Sequence, residues 1–198
     1  MRRSLKIFIP IATLAAICAI YIHTHPLVFN ESFWGHAHCI AAGGLSFRSY
    51  ATDHHGKFPY HTNGYGDALL LMTNEIGEAW FCVNGPGYDD KPFLKALASG
   101  SHLDEKDCGR VYVQGLSDTD NPEIALLFDK LPTPGGDHCH FLRRLRAPLV
   151  REVAMVDGSH KTVRESDWPE FSRQQIELLV TAGIPRKEAE RLYGSLNK

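Results

Sequence analysis

Three cations and no acid precede an uninterrupted apolar stretch near the start of the chain: Arg2, Arg3 and Lys6, then Ile7 to Ile22, with Pro10 and Thr13 its least apolar members. At about 1.5 Å of rise per residue, a helix over this run is roughly 24 Å long, slightly short of the ~30 Å hydrocarbon core of a bilayer. Leu5 and the Leu27-Val28-Phe29 patch extend it, with Lys6 reaching back to the interface. The basic flank predicts a cytoplasmic N-terminus and an extracytoplasmic remainder. Three fates compete for the segment. A cleaved signal peptide would be cut after Ala19, where Ile17 and Cys18 break the small-x-small pattern. A lipoprotein signal would use Cys18, but Ile17 is too bulky for the position before it. An uncleaved anchor needs neither site. The expectation is therefore that residues 1–29 form a single-pass anchor and juxtamembrane segment in the inner (cytoplasmic) membrane.

The roughly 170 residues that follow suit one domain, long enough to bury about 70% of its unfolded surface without staples. Net charge is -2, with both signs mixed throughout, which argues against nucleic acid as a partner because such binders carry a basic patch or stripe. Cys18 lies in the apolar run, and Cys39, Cys82, Cys108 and Cys139 lie beyond it. Oxidation is permitted outside the membrane, and four cysteines allow three complete pairings. Cys82–Cys108 is favoured, because the two flank a Gly/Pro/Asp-rich excursion whose closure is stabilising.

Periodicity organises the rest. Phe33 to His54 reads as a long helix, with Ile40, Phe47, Tyr50, Ala51 and His54 at helical spacing and a stop at Gly56 and Pro59. Gly43-Gly44 inside it is costly unless something packs closely there. Asp67 to Ile76 reads as a second helix, with Asp67 as cap or first-turn acid, and Phe93 to Ala98 as one helical turn or two. Val111 to Val113, Ile124 to Phe128, Val153 to Val156 and Lys161 to Arg164 read as short strands, the last two joined by Asp157-Gly158, a hairpin signal. Pro132 to Pro148 between them is a Pro-, Gly- and His-rich loop. Asp167-Trp168-Pro169 opens a terminal helical pair, broken at Gly183-Ile184-Pro185. Strands grouped after helices indicate an α+β fold. The expected architecture is a membrane helix, a long helix packed on a small antiparallel sheet, and a C-terminal helical pair.

The stretch Tyr50-Ala51-Thr52-Asp53-His54-His55-Gly56-Lys57-Phe58-Pro59 carries a resemblance. It is similar to the helix end Y-A-x-D-x-x-G-K-F-P of one subgroup of bacterial type IV pilin-like and type II secretion pseudopilin-like proteins. The segment around Cys82 resembles that subgroup's second landmark, and Ala154 to His160, with Asp157-Gly158 at its turn, resembles its closing strand pair. Residues 37 to 165 are covered. The resemblance implies a pilin-like α+β domain over 30–165, with 166–198 as a C-terminal helical extension, and a role in protein–protein contact beside a secretion or pilus-like system. The N-terminus departs from the family: no acid precedes Glu31 and no glycine precedes Gly35, so the processing glycine and the assembly glutamate are missing. The resemblance therefore implies a pilin-like domain on an ordinary anchor, with an unidentified protein as partner.

Chemistry-bearing residues are weighed against that reading. There are 11 histidines, and Asp137-His138-Cys139-His140 is the tightest set, joined in principle by His36, His38 and Cys39. Imidazole and thiolate suit zinc or another transition metal, so His138, Cys139 and His140 are the candidate ligands of an alternative reading, a periplasmic metal-binding module. Asp118-Thr119-Asp120-Asn121 offers oxygens to calcium but lacks the EF-hand loop pattern. No G-x-S-x-G is present; Gly100-Ser101-His102 and Gly158-Ser159-His160 only place Ser beside His in sequence, which leaves a hydrolase as the distant alternative. The leading expectation has no cofactor and no catalytic residue.

Overall fold

The structure, a computed structural model, describes residues 36–73, 85–135 and 147–194, with side chains described from Ile40 onward. The chain divides into Met1–Phe33 and Trp34–Lys198, and all described residues belong to the second unit. Its elements run α1 (His36–Asp53), α2 (Tyr65–Leu71), α3 (Asp90–Ser99), a 3-10 turn (Glu105–Asp107), β1 (Arg110–Tyr112), β2 (Ala125–Asp129), β3 (Thr133–Pro134), β4 (Leu149–Met155), β5 (His160–Arg164), α4 (Trp168–Thr181) and α5 (Arg186–Gly194). The fold is α+β, with one antiparallel sheet of five strands.

β4 is the axis of that sheet. β5 pairs with its residues 150–154, while β2 pairs with 153–155 and β3 with 149–150 on the opposite edge. β1 completes the sheet beside β2, opposing Arg110 to Asp129 and Tyr112 to Leu127. The Asp157-Gly158 turn joins β4 to β5 as expected, with Gly158 at φ 82, a conformation glycine adopts at little cost. β4 is longer than the apolar run Val153–Val156 suggested. It also takes in Arg151 and Glu152, both buried, which an apolar pattern cannot find. β3 lies inside what reads as the Pro132–Pro148 loop, and residues 136–146 of that loop fall outside the described region.

α1 lies on the sheet through Ile40, Phe47 and Ala51, all buried. Gly44 explains the costly glycine pair. A Cβ there would stand 3.2 Å from Ala154 Cβ and 3.3 Å from Gly158 O, so the helix touches β4 and its turn. The helix ends where the sequence predicts. Gly56 takes φ 79 and its N–H donates to Ala51 O at 2.7 Å, the left-handed helix stop. The chain then runs beside Leu116 to Asp118, with a bridge between Lys57 and Ser117.

α2 begins two residues before Asp67, after Gly64 at φ 122. Its first free N–H, on Tyr65, donates to Glu105 Oε1 at 3.0 Å, so the cap is supplied from 40 residues away. That is why local signals misplace its start. α3 fills Asp90–Ser99, capped by Asp89 Oδ1 on the Lys91 N–H and closed by Gly100 at φ 62. The terminal pair packs into the same core. Trp168 lies 5.5 Å from Phe128 between ring centroids, and Tyr193 stacks on Phe128 at 4.6 Å. Gln175 accepts from Ala125 N–H at 2.8 Å and donates to Glu123 O at 2.9 Å, fastening α4 to the end of β2.

Among the described residues no helix is long and apolar enough to cross a membrane. The span expected at Ile7–Ile22 lies outside them.

Candidate functional site

Four of the fold landmarks drawn from the sequence, Tyr50, Asp53, Gly56 and Pro59, lie at one end of α1. Pro59 O accepts a 2.7 Å hydrogen bond from the buried Tyr112 hydroxyl, and the Tyr112 ring stacks on Phe47 at 4.7 Å. Phe58 meets Phe47 edge-on at 6.4 Å. Tyr50 stacks on His54 at 3.8 Å, and Asp53 is exposed on the last turn of the helix. Gly56 faces Asp118: a Cβ would come within 2.6 Å of its Oδ1. At the opposite strand pair, Asp157 Oδ1 accepts from Ser159 N–H at 2.9 Å and from its hydroxyl, which holds the Asp157 carboxyl below the usual range. Together these residues fix the end of α1 and the hairpin it rests on.

The proposed metal ligands His138, Cys139 and His140 lie outside the described residues, as does Cys82. Where the bridge to Cys82 was expected, Cys108 is a free, buried thiol, pushed up to about 12 by that burial. The Asp118–Asn121 loop spends its oxygens locally: Asp120 Oδ2 accepts from Ser117 N–H at 2.6 Å, and Asn121 Oδ1 from Glu123 N–H at 2.9 Å. No group of three or more His, Cys, Asp or Glu side chains among the described residues is arranged to hold a metal ion. The two Ser-His neighbours do not form nucleophile–base pairs. Ser101 Oγ pairs with Ser99 Oγ at 2.9 Å while His102 turns to Asp67, and Ser159 binds Asp157.

Among the described residues, two concavities are lined by polar groups. The larger, about 710 Å³, is walled by Tyr65, Pro86, Tyr88 and Leu131, with Cys108 and Lys130 lining it. Lys130 donates to Glu105 O and lies 5.8 Å from the Tyr65 ring centroid; burial pulls its ammonium below the ordinary lysine value. Burial likewise raises both tyrosine phenols. Arg191 on the rim is shared between Glu105 and Glu188, at 2.6 and 2.7 Å. Charged side chains of both signs line this cleft, among them Asp104, Glu105, Lys106, Lys130 and Arg191.

The smaller, about 370 Å³, lies between α2 and α3 and is bordered by His61, Asn63, Asp67, Leu97 and His102. Asp67, expected as a cap or first-turn acid, stands in the first turn of α2, where it is buried and reaches across to the loop after α3. Its Oδ1 accepts from Leu103 N–H at 2.8 Å, and its Oδ2 from Asn63 Nδ2 and His102 Nδ1, both at 2.9 Å. Burial pushes this carboxyl up, but the bonds from His102, Leu103 and Asn63 outweigh it and leave the group below its ordinary value. His102 is held above the ordinary imidazole value, first by its hydrogen bond to Asp67. His61 Nδ1 stands 3.5 Å from the same Oδ2. This is the most convergent titratable cluster among the described residues, and the histidine count alone could not locate it. His102 lies 35 positions from Asp67 and meets it only through the tertiary fold. Compared with family models, with curated proteins and with solved structures, the chain matches none.

Proposed function

We propose that this chain is a membrane-anchored, extracytoplasmic pilin-like protein that acts by protein–protein contact beside a secretion or pilus-like system, not by catalysis. The observation that best supports this reading is the packing of α1. The helix rests through Gly44 on Ala154 and Gly158, and its end is pinned by Tyr112 on Pro59, in the order of landmarks that the resemblance implies. The sequence places a basic flank and an apolar run directly ahead of that helix. Leu94 and Leu97, exposed three residues apart on α3, offer apolar surface for contact. With the family's processing glycine and glutamate absent, the anchor holds the domain at the membrane without driving polymerisation.

The test is fractionation of the full chain. Washing membranes with alkaline carbonate leaves it in the pellet at full length, while protease added from the extracytoplasmic side removes the domain beyond residue 35. Crosslinking in native membranes then joins it to a secretion or pilus-like component. Release by carbonate, or a mature N-terminus at Ile20, overturns the anchor; crosslinks confined to unrelated abundant proteins overturn the association.

A further inference from the structure

β5 is an open edge of the sheet. At the two ends of its ladder with β4, Glu165 N–H donates to Leu149 O and Met155 N–H to Ser159 O, both at 2.8 Å. In an antiparallel pair, residues that bond the neighbouring strand alternate with residues that do not. Ser159, Lys161, Val163 and Glu165 therefore turn their amides toward β4, and His160, Thr162 and Arg164 turn theirs away. Arg164 O is taken by the Asp167 N–H at 2.9 Å. The other outward groups, the N–H of all three residues and the carbonyls of His160 and Thr162, have no backbone partner among the described residues, where no strand lies on that side of β5. His160, Lys161, Thr162 and Arg164 are all exposed, so the edge is open to solvent. The acids beside it are already engaged: Glu165 with Arg151, Asp157 with Ser159, and Glu152 with the Thr162 hydroxyl at 2.9 Å and His160 Nε2 at 3.8 Å. Asp157 feels Lys161 from farther off, but neither Lys161 nor Arg164 forms an ion pair among the described residues.

We infer that this edge takes up an extended acidic segment of a partner protein as an added antiparallel strand, with acids three residues apart opposite Lys161 and Arg164. The backbone groups of His160, Thr162 and Arg164 supply the ladder, as in other complexes built by strand addition. The two cations supply the selection. Successive side chains of a strand point to opposite faces, so Lys161 shares one face with Val163 and Arg164 shares the other with Thr162. A partner strand answers both only with one acid on each of its faces, which a spacing of three provides. The same charges argue against a second copy of this chain. Two β5 strands paired antiparallel about Thr162 set Arg164 opposite His160 and gather two lysines and two arginines on one ribbon, and like charges across a pair are destabilising. Lysine on an open edge is a common guard against such self-pairing. This inference rests on the reading of the protein as one that acts by contact, and names the surface and the chemistry of what meets it.

The test uses the full chain in detergent and a fluorescent, end-blocked peptide, Ser-Thr-Glu-Val-Thr-Glu-Val-Ser, beside the same peptide with lysine at both glutamates. The glutamate peptide is expected to bind saturably by anisotropy and to slow amide exchange at Thr162, while the lysine peptide does neither. The double variant Lys161→Glu with Arg164→Glu, changed only at exposed side chains, is expected to exchange that preference. Thr162→Pro removes an N–H that faces away from β4 and leaves the ladder to β4 its donors, a place where an edge strand tolerates proline. It is expected to weaken the glutamate peptide about tenfold, the loss of one ordinary hydrogen bond. No binding of the glutamate peptide overturns the inference. Equal binding by the charge-reversed chain overturns the charge selection, and Thr162 exchange unchanged by bound peptide overturns strand addition. The two readings fail separately: a chain that stays in carbonate-washed membranes and crosslinks to a secretion component, yet ignores the peptide, loses this edge and keeps the proposed function.

Discussion

Asp67 is the residue on which three segments close. A nearly buried carboxylate is tolerated only where donors replace the water it loses, and here a backbone amide, an amide side chain and an imidazole do so. The pairing with His102 makes stability depend on pH in a definite direction. His102 is raised above 6.5, so its contribution is complete below that value and is lost as pH rises through its own, higher one. Asp67 is lowered below 3.8, so its contribution is present above that value and is lost as pH falls through its own, lower one. The pair is therefore strongest between the two. Thermal melts of wild type and His102→Ala should differ most near pH 5 and converge toward pH 8. A gap in melting temperature that is flat across this range would show that the charge on His102 does not contribute. In sequence, Asp67 reads as a cap or first-turn acid because local chemistry offers that role. It does stand in the first turn of α2, and Leu103 and His102 bond it as well, which no local signal shows.

At the level of elements, the contact of α1 with the β4–β5 hairpin positions the rest. Gly44 lets the helix backbone approach Ala154 and the Gly158 carbonyl with no side chain between them. Gly44→Val forces branched carbons into a gap of 3.2–3.3 Å bounded partly by backbone, which cannot rotate away. Its expected cost is about 1–3 kcal/mol, read as a lower urea midpoint with an unchanged slope. A midpoint within error of wild type would place the helix farther from the hairpin than described. This contact was legible: the Gly43-Gly44 pair signals close approach, and Asp157-Gly158 signals the turn that is approached. The start of α2 was not legible, because Glu105 caps it from a distant segment. The small strand β3 was hidden because Thr133-Pro134 has no strand pattern and pairs only because β4 extends past it.

Across the whole molecule, the sheet is held by charges as well as by apolar packing. Arg110 Nε donates to Asp129 Oδ1 at 3.0 Å with both side chains fully buried, and Asp129 Oδ2 accepts from Glu152 N–H at 3.2 Å. Arg151 forks onto Glu165 at 2.8 and 2.9 Å and lies 4.7 Å from the Trp168 ring centroid, joining β4, the β5–α4 connection and α4. Asp129→Ala removes the carboxylate that faces a fully buried guanidinium, and its expected cost is about 3–5 kcal/mol in urea unfolding. A loss under about 1 kcal/mol would mean that the Arg110–Asp129 pair adds little to the stability of the sheet. By itself the sequence determined the α+β class, most element positions, the helix stop at Gly56 and the Asp157-Gly158 hairpin, together with the expectation of an anchor at Ile7–Ile22. Those follow from the spacing of apolar residues and from turn chemistry, which act over a few positions. Only the tertiary structure decided that Arg110, Asp129, Arg151 and Glu152 belong inside, and that His61, Asp67 and His102 share one site. The burial of a charge depends on the partner that meets it, and such partners lie well away in the chain, 19 positions for Arg110 and Asp129 and 35 for Asp67 and His102, brought together only when α2, the loop after α3 and the sheet have closed around them.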